Sequence, residues 1–126
     1  MALTLPTDAE LEILQVLWER GPSTVREVHD RVSEIKPIGY TTTLKQMQVM
    51  LEKGLLGRSE RYRSHIYKSV QTRTETQRQL AESMLRHVFN GSASGLLQSA
   101  LAGRKVDAAE LKAIRALLAE AARRTK

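Results

Sequence analysis

Apolar residues recur at helical intervals three times in the first half of the chain. Leu11, Leu14, Leu17 and Trp18 form one stripe, preceded by Thr7 and Glu10 at the spacing of a capping box, in which the Thr hydroxyl and the Glu carboxylate each satisfy the other residue's backbone N–H. Gly21-Pro22 stops this first helix. Val25, Val28, Val32 and Ile35 form the apolar face of a second helix, again opened by a capping box, Thr24 with Glu27. Lys36-Pro37 ends it, because a residue before proline is pushed out of the helical region. A third helix is predicted over Thr41–Lys53, capped by Thr41, with Leu44, Met47, Met50 and Leu51 towards the core and Gly54 as the C-terminal cap. Its other positions, Thr42, Thr43, Lys45, Gln46, Gln48, Val49 and Glu52, are left for solvent or a ligand.

From Leu55 the period changes. Leu55-Leu56 and Ile66-Tyr67 read as short strands of a basic β-hairpin that runs to Val70 and turns at Arg63-Ser64. Beyond Val70 the pattern is helical and more polar. Gln71–Asn90 carries Leu80, Met84, Leu85, Val88 and Phe89, the segment Asn90–Gly95 is a break, and Leu96–Ala102 is a short apolar helix. Asp107 then caps a last helix to Arg124, with Glu110 three residues on and Leu111, Ile114, Leu118 and Ala121 along one side. A single isolated helix cannot bury such stripes. A second copy of the chain is the favoured cover, with packing inside the chain as the rival.

The predicted fold is therefore mainly α with a small β-hairpin wing: a winged helix-turn-helix domain over residues 1–70, then C-terminal dimerisation helices over 71–126. In such a layout one helix enters the DNA major groove and the hairpin touches the backbone beside it. The charge follows the same division. Met1–Ile35 has three Arg or Lys against seven Asp or Glu, whereas Lys36–Lys68 has seven basic residues against Glu52 and Glu60. The whole chain is +6 with a pI near 10.0, which suits a polyanionic partner. On the third helix Thr41, Thr42, Lys45 and Gln48, with Gln46, are the candidate base-side residues, since hydroxyls, amides and an ammonium match groove acceptors and phosphates. In the hairpin Arg58, Arg61, Arg63 and His65 are the candidate backbone contacts.

Other chemistries find little support. There is no cysteine, hence no disulfide frame, thiolate metal site or cysteine nucleophile. His29, read as a surface helix residue, His65, and His87, read as partly buried, lack metal-ligand spacing. No nucleophile–base order or carboxylate pair marks an active site, so neither an enzyme, a metal nor a cofactor is expected. Met1–Pro6 is too short for a signal peptide, and no apolar run approaches the ~20 residues that span a bilayer. A soluble, cytoplasmic protein with no membrane insertion is expected.

Several stretches together resemble the penicillinase repressor family of bacterial winged-helix regulators (BlaI/MecI type) over essentially the whole chain. They are Leu5-Pro6-Thr7-Asp8-Ala9-Glu10-Leu11-Glu12-Ile13-Leu14 with Leu17-Trp18, then Tyr40-Thr41-Thr42, Glu52-Lys53-Gly54-Leu55-Leu56, the strand His65-Ile66-Tyr67, and the helix Leu80–Phe89. The resemblance implies a homodimeric transcriptional repressor bound to an inverted-repeat DNA operator with TACA/TGTA half-sites. Its third helix would read bases, and Leu80, Met84, Val88, Leu97, Leu101, Leu111, Ile114 and Leu118 would make the dimer interface. It also implies release after a membrane sensor metalloprotease, or another protease, leads to cleavage in the C-terminal region, often at genes for β-lactam resistance. This chain departs from the family at two places. Val49 stands where better-known members carry Arg, and Ser99-Ala100 falls where an ungapped alignment puts their Asn-Phe cleavage dipeptide. The Cys-rich tail of the copper-responsive branch has no counterpart here. Two rivals stand beside the repressor reading: a ligand-gated winged-helix regulator, and a winged-helix protein-interaction module without sequence-specific DNA binding.

Overall fold

The computed structural model describes residues 5–125; within Met1–Pro6, the first four residues lie outside it. The described residues form six helices and one antiparallel hairpin, in the order α1 (Asp8–Arg20), α2 (Val25–Ser33), α3 (Tyr40–Glu52), β1 (Leu56–Arg61), β2 (Ser64–Ser69), α4 (Arg73–His87), α5 (Ala93–Leu101) and α6 (Ala108–Arg124). Among them no helix is long and apolar enough to cross a membrane. The chain divides within α4, between Glu82 and Ser83, into two compact units.

In the first unit both capping boxes form. Thr7 and Glu10 exchange hydrogen bonds of 2.9 and 3.2 Å at the start of α1, and Thr24 and Glu27 do so at 2.9 and 3.1 Å at the start of α2. A third box, Thr72 with Glu75, opens α4. Ile13, Leu14, Val16 and Leu17 of α1 meet Val25, Val28 and Val32 of α2, Met47 and Met50 of α3, and Leu55, Leu56 and Tyr67 of the hairpin region in one core. The apolar stripe of α1 is wider than Leu11, Leu14, Leu17 and Trp18, because α1 is packed by α2, α3 and β2 together. Leu11, Trp18, Leu44 and Leu51 line the edge of the core, half-buried.

Several expectations are corrected. Ile35 lies beyond the end of α2 and is 79% exposed, since the helix stops two residues before it and its side chain leaves the apolar face. The cap of α3 is Gly39, which makes no side-chain hydrogen bond, so Thr41 sits inside the helix and caps nothing. Thr43 is fully buried rather than free for a ligand; its Oγ1 is 3.5 Å from both the Gly39 carbonyl and His29 Nδ1. At the other end of α3, Gly54 has φ +84°. Its N–H donates to the Leu51 carbonyl, and that of Leu55 donates to the Met50 carbonyl. These two bonds form a Schellman closure that needs a left-handed residue where Gly stands.

The hairpin is longer than the sequence pattern indicates, with six rungs from Leu56↔Ser69 to Arg61↔Ser64. It turns at Tyr62-Arg63, not at Arg63-Ser64. Its base is tied to the α1–α2 turn by a reciprocal pair of backbone bonds between Ser23 and Tyr67, at 2.9 and 2.8 Å. Trp18 Nε1 donates to Ser69 Oγ and to the Gln71 carbonyl, which fixes the exit of β2 against α1.

In the second unit α5 begins at Ala93, capped by Ser92, rather than at Leu96, and Gly95 is inside the helix. The break runs over residues 88–92, with Asn90 and Gly91 both at positive φ. Asp107 caps α6 by accepting from the Glu110 N–H at 2.8 Å. Neither α5 nor α6 has a buried residue among those described. His87 is exposed and bonded to the Ser83 carbonyl, whereas His29 in the first unit is the half-buried one.

Candidate nucleic-acid interface

The helical period places Thr41, Thr42, Lys45, Gln48, Val49 and Glu52 along one exposed face of α3, opposite the buried Thr43, Met47 and Met50. Thr41, Thr42, Lys45, Gln46 and Val49 share a shallow recess with Thr7, Ala9 and Glu10 at the start of α1. Among these α3 residues Gln46 is half-buried and the others are exposed, whereas Ala9 is half-buried and Glu10 buried. The orientation of α3 is fixed at its C-terminal end by an ion pair: Lys53 Nζ lies 2.7 and 2.8 Å from the two carboxylate oxygens of Glu10. Burial pushes the Glu10 carboxyl up, but its bonds to Lys53 and to Thr7 outweigh this and hold it below its ordinary 4.5.

The wing divides its basic residues between two faces. Residues paired across an antiparallel hairpin point the same way, and alternate residues along a strand point opposite ways. Arg58 pairs with the buried Tyr67, and Glu60 with His65, so Arg58 and His65 share the helix-facing side. Arg61, Ser64, Ile66 and Lys68 belong to the other side. Arg63 is in the turn. Arg58 and His65 line one polar groove with Gln48 and Tyr40 of α3 and Thr24 and Arg26 of α2. Thus the structure brings Gln48, Arg58 and His65 together, keeps Thr41, Thr42, Lys45 and Gln46 as a neighbouring set, and leaves Arg61 and Arg63 outside both.

Two groove residues escaped the sequence reading. Arg26 lies with its guanidinium carbon 4.9 Å from the centre of the Tyr40 ring, and His29 meets the same ring edge-on at 5.7 Å. Tyr40 thereby joins α2 to the first turn of α3 and aims Arg26 into the groove. A cation at the exposed start of a helix was visible in the sequence; its aromatic support, fourteen residues downstream, was not.

Several cations of the first unit are ion-paired. Lys36 and Lys53 are taken up by Glu12 and Glu10, and Arg20 and Arg31 by Glu27 and by Glu19 and Glu34. Lys45, Arg58, Arg61, Arg63 and Lys68 have no carboxylate within 4.0 Å among the described residues. Five free cations on one helix face and one hairpin suit successive phosphates and groove edges.

The proposed dimer residues differ in exposure. Leu97, Leu101 and Ile114 are half-buried around the α5–α6 corner, and Leu80 is half-buried on α4. Met84, Val88, Leu111 and Leu118 are exposed, as is Leu117. Ser99 and Ala100 are exposed in the last turn of α5.

Comparison with known proteins identifies the family. A family model described as penicillinase repressor matches residues 6–120. Proteins named transcriptional regulator BlaI from two strains of Mycobacterium tuberculosis (CDC 1551 / Oshkosh and H37Rv) are 34% identical over 121 residues, which covers 94% of this chain and 86% of theirs. A solved structure of Bordetella bronchiseptica BpsR aligns with 97% of this chain and 83% of its own at 21% identity and a TM-score of 0.48, a likeness too loose to bear on function.

Proposed function

The chain belongs to the penicillinase repressor family, and from that premise we propose that it is a DNA-binding transcriptional repressor that occupies an inverted-repeat operator as a homodimer. The observation that carries the reading is that Lys45, Arg58, Arg61, Arg63 and Lys68, gathered on α3 and the wing, have no carboxylate within 4.0 Å among the described residues, whereas Arg20, Arg31, Lys36 and Lys53 are ion-paired. In this reading Thr41, Thr42, Lys45 and Gln48 face base edges, with Gln46 at their margin, and Arg58, Arg61, Arg63 and His65 hold the backbone. Arg26 joins them from α2. In this reading residues 1–70 read DNA and residues 71–126 pair two copies.

Dimerisation is supported by the second unit's lack of buried residues in α5 and α6, beside exposed Met84, Val88, Leu111, Leu117 and Leu118. Stripes of this kind need a partner surface. A DNA reader with one recognition helix also gains specificity by presenting two. A protease partner, acting after a membrane sensor signal, would release the DNA by cutting in this unit. Ser99 and Ala100 are exposed at a helix end, where fraying gives a protease access. A cytoplasmic location follows from the role.

Titration of Lys45→Ala against an operator selected from a random duplex library, and against random duplex, tests the base-side assignment. Affinity for the operator is expected to fall by about tenfold or more, in line with the roughly 1–3 kcal/mol of a good base contact, with little change on random DNA. Equal weakening on both would reduce Lys45 to a phosphate contact and undercut the reading of α3.

A further inference from the structure

A recess at the base of the wing stands apart from the residues assigned to DNA. It lies where the end of α1 and the α1–α2 turn meet the exit of β2 into α4, and it holds about 460 Å³. It shares no residue with the recesses lined by α3. A volume of that order suits a small organic ligand. Leu17, Trp18, Pro22 and Val70 give it apolar walls. Leu17 is buried, Trp18 half-buried, and Pro22 and Val70 are exposed, so the walls are open to a ligand from solvent.

The charged residues that line it are both cations, Lys68 and Arg73. Lys68 is on the wing face turned from Arg58 and His65, and Arg73 is in the first turn of α4. Neither has a carboxylate within 4.0 Å among the described residues. Glu75, the nearest acid along the chain from Arg73, instead accepts from the Thr72 N–H at 2.8 Å. The Arg73 guanidinium carbon lies 5.7 Å from the centre of the Trp18 ring, close enough for the ring to hold the cation. The indole is itself fixed, because its Nε1 donates to Ser69 Oγ at 3.0 Å and to the Gln71 carbonyl at 3.1 Å. A guanidinium placed against a fixed aromatic wall keeps its fork of N–H groups for a carboxylate. The flat indole favours a ring over an alkyl chain as the apolar part of the ligand.

We propose that this recess is a binding site for a small aromatic carboxylate. The ring of the ligand packs on Trp18, Pro22 and Val70, its carboxylate takes the Arg73 guanidinium, and Lys68 adds a second positive charge. The walls belong to α1, β2 and the start of α4, so a ligand there bears on the bonds that fix the exit of β2. The site does not depend on the repressor reading and is tested without DNA.

Trp18 is the one tryptophan of the chain. Its indole N–H therefore gives a single resonance in a proton–nitrogen correlation spectrum, and it reports from the wall of the recess. The isotope-labelled full chain is titrated with β-naphthoate and with β-naphthamide, which has the same ring and no charge. The naphthoate is expected to move the indole resonance saturably, with a dissociation constant of about 1 mM or tighter. The amide is expected to bind about fivefold more weakly or worse, for want of the charge-assisted bond. In Arg73→Glu the new acid suits the first turn of a helix, so the melting temperature is expected to hold while naphthoate affinity falls about tenfold and amide affinity changes little. Val70→Asp, which sets a like charge in the exposed wall, is expected to weaken the naphthoate as well. An indole resonance that does not move, an amide that binds as well as the acid, or a naphthoate affinity untouched by both substitutions would each overturn the site.

Discussion

The buried ion pair beneath α3 allows the most closely worked prediction. Glu10→Gln keeps the size of the side chain and its capping role, since Gln serves at that position of a capping box as well as Glu. It removes only the charge facing Lys53. The Glu10 side chain is 8% exposed and that of Lys53 24%. The pair therefore lies between an exposed one, worth up to about 1 kcal/mol, and a fully buried one, whose breakage costs about 3–5 kcal/mol. A loss of about 1–2 kcal/mol at pH 7 is expected, which lowers the melting temperature by about 5–10 °C for a unit of this size. The effect has a definite pH signature. The Glu10 carboxyl is held below its ordinary 4.5 in the fold, despite burial that pushes it up, by Lys53 and Thr7. As pH falls, the unfolded chain takes up this proton first. The stabilisation is thus complete above 4.5 and disappears as pH falls through the lower value in the fold. Thermal melts of wild type and Glu10→Gln from pH 7 to pH 3 are expected to show a constant gap down to about pH 5 and convergence below it. Lys53→Met leaves a buried carboxylate without its cation, and is expected to cost more at pH 7 than Glu10→Gln. The double variant is expected to cost less than the sum of the two. A gap that persists to pH 3, or costs that simply add, would refute the pair as the tie between α1 and α3.

Other expected outcomes follow from the same geometry. Thr24→Ala, which removes the hydroxyl that accepts the Glu27 N–H, is expected to cost about 1 kcal/mol and to lower the melting temperature by several degrees, read by circular dichroism; an unchanged melt would mean the capping box of α2 contributes nothing. Arg58→Ala is expected to weaken binding on all DNA sequences and to flatten the salt dependence by about one unit per protomer; an unchanged slope would take Arg58 off the backbone. Leu118→Asp, at an exposed apolar position of α6, is expected to yield monomers in sedimentation and poor operator binding. A variant that still sediments as a dimer would move the seam elsewhere.

What the sequence made legible was local. The capping boxes at Thr7–Glu10 and Thr24–Glu27 and the cap at Asp107 depend on residues three apart, and they formed where the pattern put them. The third, at Thr72–Glu75, carries the same signature and was missed because the polar run after Val70 has no apolar stripe to announce a helix start. The start of α5 was missed because Gly91 and Gly95 look alike in sequence, yet only Gly91 takes the left-handed backbone. The turn at Tyr62-Arg63 could not be read because strand pairing, fixed by the buried Tyr67 and its bonds to Ser23, overrides the residue preferences of the turn. Thr43 and Ile35 exchange their expected places for one reason: burial depends on which side of a helix meets a neighbour, and where a helix stops. In the site, the face of α3 was legible from its period. The division of the wing's cations and the Arg26–Tyr40 contact required the fold.

The central claim is that α3 and the wing read a specific DNA sequence in two symmetrical copies. Selection of bound duplexes from a random DNA library by the purified protein, in about 150 mM salt to suppress nonspecific phosphate binding, tests it most directly. The account predicts an enriched inverted repeat whose half-sites are centred about one helical turn, or a multiple of it, apart. Enrichment of a lone half-site would contradict the dimer, and no enrichment above background would contradict sequence reading itself.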